Sequence, residues 1–182
     1  MKIFPTEIPD VLLLRPTVFS DTRGFMLETW NRRTFAEANL DVDFVQDNLS
    51  QSTRGTLRGL HYQIEQSQGK LIRAAAGVVF DVAVDLRRSA PTFGQCVGVE
   101  LDSSKHELLW IPPGFAHGFL VLSESAQVHY KCTNFYAPKH ERTIRWDDPD
   151  LAIDWPMSDE AELLLSDKDR NGTAFKDAET FP

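Results

Sequence analysis

Cysteine is nearly absent from this chain: Cys96 and Cys132 are the only two in 182 residues. Two isolated thiols build neither a disulfide framework nor a thiolate metal site, and each is expected to pack as a small apolar residue. No apolar run approaches the length that spans a bilayer. Met1 to Asp10 lacks the basic-then-apolar layout of a signal peptide, so a cytoplasmic protein is expected. Basic charge is not in excess either. The net charge of −8 argues against a nucleic-acid-binding surface, whose affinity rests on a basic patch. It leaves room for a small anionic ligand, because a nucleotide needs only a few local cations, and Arg23, Arg58, Lys70 and Arg73 are on hand. Internal repeats, low-complexity tracts and linkers are also missing.

What is present is an ordinary soluble composition, 42% hydrophobic and 25% charged, at a length that suits one domain with a sizeable core. Short apolar runs recur between Gly, Pro, Asn and Asp, which predicts an all-β sandwich or barrel. The expected strands are 11–18, 25–29, 44–50, 56–63, 70–75, 78–86, 96–101, 107–111, 118–122 and 126–134. Helical signals are few. Thr34-Phe35-Ala36-Glu37 resembles a capping box opening one short helix, and 158–165 has the pattern of a second. Neither is long enough to cover a parallel sheet, which rules out an α/β layout. In the run 78–86, alternation puts Val78, Phe80, Val82, Val84 and Leu86 on one face, read as the core face. Val79, Asp81, Ala83 and Asp85 share the other, which is either solvent, the commoner case, or a polar cavity. Gln46, Asn48 and Ser50 share a face and suit either a polar ligand wall or an exposed strand.

Leu57-Arg58-Gly59-Leu60-His61-Tyr62-Gln63 sets a histidine beside an arginine within a strand, and Gly69-Lys70-Leu71-Ile72-Arg73 adds two cations shortly after. A base near clustered positive charge suits proton abstraction from a phosphate-bearing substrate. Strict alternation puts Arg58 and His61 on opposite faces, unless Gly59 marks a bulge. Among the other histidines, His106 and His140 sit among charged residues. His117, in Ile111-Pro112-Pro113-Gly114-Phe115-Ala116-His117-Gly118, resembles the second signature of the cupin jelly roll, where that histidine often binds metal. The first cupin signature is incomplete, because His61 is followed by Tyr62-Gln63 where a further ligand belongs. Two histidines from different strands fall short of the usual three protein ligands, so no metal is expected. Metal-free chemistry then needs an aspartate to hold the base, from Asp81, Asp85, Asp167 or Asp169. It needs a cation such as Lys70 for an enolate oxygen, and an acid on the opposite face. Tyr130 is a candidate acid, against the blander reading of a packed tyrosine with a satisfied hydroxyl.

From about Pro5 to Asp169 the chain resembles the dTDP-4-dehydrorhamnose 3,5-epimerase family. The resemblance is carried, in order, by Phe19-Ser20-Asp21-Thr22-Arg23-Gly24-Phe25 with Glu28, and by Phe44-Val45-Gln46-Asp47-Asn48-Leu49-Ser50. Next come the His61 segment, Gly69-Lys70-Leu71, Phe80-Asp81-Val82-Ala83-Val84-Asp85 and Pro113-Gly114-Phe115-Ala116-His117-Gly118-Phe119. Tyr130-Lys131-Cys132-Thr133, Trp146-Asp147-Asp148-Pro149 and Leu165-Ser166-Asp167-Lys168-Asp169 complete it. The resemblance implies an all-β, cupin-type double-stranded β-helix (jelly roll) with a few short helices, forming a homodimer that needs no cofactor. It implies His61 as base, Asp169 as its orienting partner, Tyr130 as acid and Lys70 as enolate stabiliser. Arg23, Glu28, Gln46, Asn48, Arg58, His117, Glu141 and Lys168 are implied to line a dTDP-sugar site. Phe19 and Tyr136 are implied to stack on thymine, and a residue near the N-terminus to come from the partner subunit. The rivals are a one-carbon epimerase or ketoisomerase on the same fold, a metal-dependent cupin oxygenase, and a non-catalytic sugar-binding jelly roll.

Overall fold

The computed structural model describes residues 1–157 and 162–182. Among these, thirteen strands follow in chain order: β1 (Lys2–Pro5), β2 (Leu12–Arg15), β3 (Val18–Asp21), β4 (Gly24–Leu27), β5 (Gln46–Thr53), β6 (Leu57–Gln63), β7 (Lys70–Ala76), β8 (Val78–Asp85), β9 (Cys96–Asp102), β10 (Leu108–Ile111), β11 (Phe115–Val121), β12 (Ser125–Cys132) and β13 (Glu141–Thr143). They make a six-stranded sheet in the order β1-β2-β10-β7-β12-β5, a five-stranded sheet in the order β13-β6-β11-β8-β9, and a separate β3-β4 hairpin. Pairing inside each sheet is antiparallel. The helices are α1 (Arg32–Glu37) and α2 (Asp167–Arg170), with short 3-10 turns at Pro138–His140 and Phe175–Asp177. The expected all-β architecture with a few short helices is observed. No helix among the described residues is long and apolar enough to cross a membrane.

The two large sheets face each other, and the alternating side chains decide what lies between them. Ile72, Ala74, Leu109, Ile111, Ala126 and Val128 of the first sheet pack against Val79, Ala83, Val97, Leu101, Phe115, Phe119 and Val121 of the second. Each outer face has its own cover. Leu57, Leu60, Tyr62, Val82, Val84, Ala116 and Leu120 are roofed by Ile144, Leu151, Trp155 and Ala178 of the C-terminal segment. Leu71, Leu108 and Trp110 on the other outer face are roofed by Phe35 of α1. A fully buried Leu or Phe of this kind contributes about 1.5–3 kcal/mol.

These covers correct the reading of 78–86. Both faces of β8 are buried, so Asp81 and Asp85 lie inside the protein with no solvent exposure. Asp85 is held by Arg87, whose Nε and Nη2 donate to it at 2.9 and 2.7 Å, and by Thr92 Oγ1 at 2.6 Å. The expected strand 11–18 is split into β2 and β3, because Pro16 cannot donate to a ladder. β1 and β13 were not expected. Helix α1 begins earlier than the Thr34–Glu37 motif implies. Its cap is Asn31, whose Oδ1 accepts from the backbone N–H of Arg33 and Thr34, so Thr34 to Glu37 is the final turn. The helix expected at 158–165 falls partly on residues 158–161, outside those described. Its described end is extended, with Leu164 bridging to Thr56.

Candidate active site

A polar cleft opens between the sheets, with β5, β7 and β12 on one wall and β6, β11 and β13 on the other. It consists of two adjoining cavities of about 260 and 320 Å³ that share His61, Lys70, Tyr130, Tyr136 and Glu141. The polar lining follows from alternation. Leu57, Leu60 and Tyr62 of β6 point to the outer core, while Arg58, His61 and Gln63 point to the cleft. That pattern requires one extra residue, and Gly59 is it. Three steps of β6 from Arg58 to His61 oppose two steps of β11 from Phe119 to His117. A β-bulge therefore brings Arg58 and His61 to the same side, which resolves the conflict that strict alternation posed. Gly59 has φ +132°, and a Cβ there would lie 2.5 Å from Gly118 Cα, so only glycine fits.

His61 Nε2 lies 2.6 Å from Asp169 Oδ1. Of the four candidate aspartates, Asp169 is the one beside His61. Asp169 is on α2, capped by Ser166, whose Oγ accepts from the Asp169 N–H at 3.2 Å and donates to Asp169 Oδ2 at 2.5 Å. The Gly59 N–H also donates to Oδ1, at 3.2 Å. Burial acts to raise the Asp169 pKa, but the bonds from His61, Ser166 and Gly59 outweigh it and hold it at about 2. His61 does not rise in return. Burial lowers its pKa, and the positive charges of Lys168 and Lys70 add to that, against the opposing pull of Asp169. The imidazole is thus kept neutral, the form that can accept a proton.

Facing His61 from the other sheet are Tyr130 on β12 and Lys70 on β7. Burial pushes the Tyr130 phenol up, and nearby Cys132, Glu141 and Tyr136 push the same way against Arg58. It stays protonated. Burial lowers the Lys70 ammonium, opposed by Cys132, Asp81 and Glu141. His117 is itself buried, with Nε2 at 3.0 Å from both oxygens of Asp81. Arg58 Nε donates to Ser52 Oγ at 3.1 Å. Glu141 joins Lys168 Nζ at 2.8 Å and accepts from the Tyr136 hydroxyl at 3.1 Å. Gln46 Nε2 donates to Asn48 Oδ1 at 3.0 Å.

Ten of the side chains singled out in the sequence besides Asp169 therefore meet in this cleft: Gln46, Asn48, Arg58, His61, Lys70, His117, Tyr130, Tyr136, Glu141 and Lys168. Three do not. Phe19 and Arg23 stand on the β3-β4 hairpin, around a separate depression lined by residues of that hairpin alone. Glu28, at its base, accepts from Asn31 Nδ2 at 2.9 Å and Thr34 Oγ1 at 3.3 Å. Ser50, read with Gln46 and Asn48 as a possible ligand wall, lines the cleft too, and the sequence reading assigned no site role to Gln63, Gln68, Phe119, Cys132 and Ser166, which also line it. Alternation from Gln46 and Asn48 gives Ser50, and from Tyr130 gives Cys132. Gln68 precedes its strand and carries no such signal. Among the described residues no three His, Cys, Asp or Glu side chains are grouped as a metal ion would require.

Fold and site together define a cupin-like jelly-roll enzyme with a histidine–aspartate pair, a lysine and a tyrosine converging on one polar cleft. The chain belongs to the dTDP-4-dehydrorhamnose 3,5-epimerase family, whose sequence model matches residues 5–177. It is 60% identical to the dTDP-4-dehydrorhamnose 3,5-epimerase of Pseudomonas aeruginosa over 183 aligned positions, covering 100% of both chains. Identity to the enzyme of that name from Shigella flexneri is 55%, over 100% of this chain and 99% of that one. The crystal structure of dTDP-6-deoxy-D-glucose-3,5-epimerase from Legionella pneumophila, in complex with dTDP-4-keto-L-rhamnose, superposes with a TM-score of 0.94. The two are 46% identical over 98% of this chain and 94% of that chain.

Proposed function

We propose that this protein epimerises C3 and C5 of dTDP-4-dehydro-6-deoxy-D-glucose, yielding dTDP-4-dehydro-L-rhamnose for dTDP-L-rhamnose biosynthesis. The observation that carries the mechanism is the opposition of His61 and Tyr130. One lies on β6 and the other on β12, so they reach a ring between the sheets from opposite walls. Inversion needs that layout: a proton leaves one face of the carbon and another arrives on the opposite face.

The C4 ketone acidifies C3 and C5. His61, aligned by Asp169, takes each proton in turn, with Nε2–H donated to the aspartate and the lone pair on Nδ1 turned to substrate. The electron pair moves onto the C4 oxygen, and the Lys70 ammonium stabilises the enolate. Tyr130, protonated at neutral pH, returns a proton at C5, C3 takes its proton from solvent on the face opposite His61, and His61 passes the proton it has taken to solvent between the two inversions. Only protons move, so the chemistry calls for no redox cofactor. Arg58 and Arg23 suit the diphosphate, since guanidinium reaches phosphate oxygens in pairs. Tyr136 and Phe19 offer exposed rings for thymine. Gln46, Asn48, His117, Glu141 and Lys168 supply the remaining polar contacts, and Glu28 serves through the hairpin. We assign the protein to the cytoplasm as a homodimer, in which the hairpin carrying Phe19 and Arg23 serves the partner's cleft.

Solvent exchange tests the reaction. The protein is incubated with dTDP-4-dehydro-6-deoxy-D-glucose in deuterated water, and C3 and C5 are followed by proton NMR. Deuterium is expected at both carbons, and at neither with His61→Ala. Deuterium at one carbon alone would make this a single epimerase, and exchange at full rate in His61→Ala would remove His61 as the base.

A further inference from the structure

The loop that follows β12 carries Tyr136, and three glutamine side chains grip its backbone at four successive residues. Gln68 Nε2 donates to the Asn134 carbonyl at 2.9 Å. Gln63 Nε2 donates to the Phe135 carbonyl at 3.2 Å. Gln46 Oε1 accepts from the Tyr136 N–H at 2.9 Å, and Gln63 Oε1 from the Ala137 N–H at 2.8 Å. Apart from these bonds and the Tyr136 hydroxyl's bond to Glu141, the loop is open, for Phe135 and Tyr136 are 62% and 53% exposed. Gln63 is the central member. It alone grips the loop on both sides of Tyr136, and its second Nε2 hydrogen goes to the Gln66 carbonyl at 2.9 Å. An amide has two hydrogens to donate, and both are committed to backbone. Gln63 therefore has no donor left for a substrate, although it lines the cleft.

We propose that Gln63 is a positioning residue: it ties the strand bearing His61 to the Tyr136 loop, holds the Tyr136 ring over the cleft, and thereby sets the affinity for the nucleotide end of the substrate. This rests on the reading that Tyr136 stacks on the base. Gln63 lies two residues beyond His61, on the same face of β6, so the base and the aromatic ring share one mount. An exposed ring on an untethered loop would lose ordering entropy on each binding event, and the clamp removes that cost in advance.

The test is calorimetric titration of the full-length protein with thymidine 5′-diphosphate, which reads affinity without turnover. The proteins are wild type, Gln63→Leu, Gln63→Glu, Tyr136→Ala and the double variant Gln63→Leu/Tyr136→Ala. Gln63→Glu keeps the size and an acceptor for the Ala137 N–H but sets an anion against the Phe135 and Gln66 carbonyls. It carries the test if Gln63→Leu does not fold, as thermal melting will show. Each single variant is expected to weaken binding about tenfold, the scale of one base–aromatic stack. With substrate, KM should rise far more than kcat falls. The double variant should bind no more than about twofold more weakly than Tyr136→Ala, because the clamp acts through the ring. Unchanged affinity in the Gln63 variants with a loss in Tyr136→Ala would overturn the proposal alone, as would fully additive losses. Unchanged affinity in Tyr136→Ala would overturn the stacking reading and the clamp with it.

Discussion

Asp169 is held by three donors before any substrate arrives: the His61 ring, the Ser166 hydroxyl and the Gly59 amide. Its carboxyl, at about 2 against an ordinary 3.8, contributes stability that is fully present above pH 3.8 and lost as pH falls through about 2. Its effect on His61 has the opposite sign, since a carboxylate favours the protonated ring. Asp169→Asn keeps the shape but removes that pull. The His61 pKa, already below 6.5, should fall further, and the acidic limb of the kcat/KM profile should move to lower pH. Activity on the plateau should drop by roughly 10²-fold, because the ring loses the partner that fixes its tautomer. An acidic limb displaced to higher pH would show that Asp169 does not govern His61. None of this pairing follows from spacing alone. His61 and Asp169 are 108 residues apart, and four aspartates were equivalent on chemistry. The family resemblance points to Asp169, and Asp169 lies 2.6 Å from His61.

At the scale of elements, period-two alternation makes the β5 and β12 parts of the cleft readable, and the family resemblance supplies most of the rest. Gln46, Asn48 and Ser50 on β5 and Tyr130 and Cys132 on β12 follow the alternation directly. It failed where a strand departs from the period or has two covers. Buried carboxylates on β8 look like a solvent face until the C-terminal segment is seen to cover the other side. β6 keeps its functional face only through the extra residue at Gly59, which alternation cannot foresee except as a glycine out of place. Gly59→Ala should therefore damage both fold and site. The added Cβ meets Gly118 Cα at 2.5 Å and the His117 carbonyl at 2.9 Å, both backbone atoms in a central strand that cannot swing aside. With φ at +132° the residue is also strained. The cost should be about 3 kcal/mol, or a fall in melting temperature of roughly 10 °C for a chain of this size. Any folded remainder should lose activity, since relaxing the bulge turns Arg58 or His61 out of the cleft. A wild-type melting curve in Gly59→Ala would mean that the strand tolerates the flat register.

For the whole molecule, the β3-β4 hairpin is the part that its own chain leaves unexplained. Among the described residues it is a two-stranded sheet with no third strand, and Phe19, Phe25 and Met26 are each more than half exposed. A lone hairpin is marginal in water, so the exposed rings fit the proposed homodimer, in which a partner would cover them. The Phe25 ring lies 4.3 Å from that of His106, near the turn of the hairpin, while Phe19 stays exposed and Arg23 pairs with Asp21 of the same hairpin at 2.6 Å. Two-fold symmetry offers a consistent role, with each hairpin crossing to the other subunit's cleft. The family resemblance names Phe19 and Arg23 as site residues, and the proposed crossing to a partner's cleft would leave no periodic trace in one chain. Subunit mixing decides it. Arg23→Ala and His61→Ala should each be nearly inactive alone. After unfolding and refolding together in equal amounts, about half of the dimers are mixed. Each mixed dimer has one cleft with an intact His61 and an intact Arg23 from across the interface, so about a quarter of wild-type activity should return. If the hairpin served its own chain, the Arg23→Ala cleft would stay deficient in every pairing and mixing would restore nothing. Recovery in the mixture, together with a dimer mass by light scattering, would establish that one active site is built from two copies of this chain.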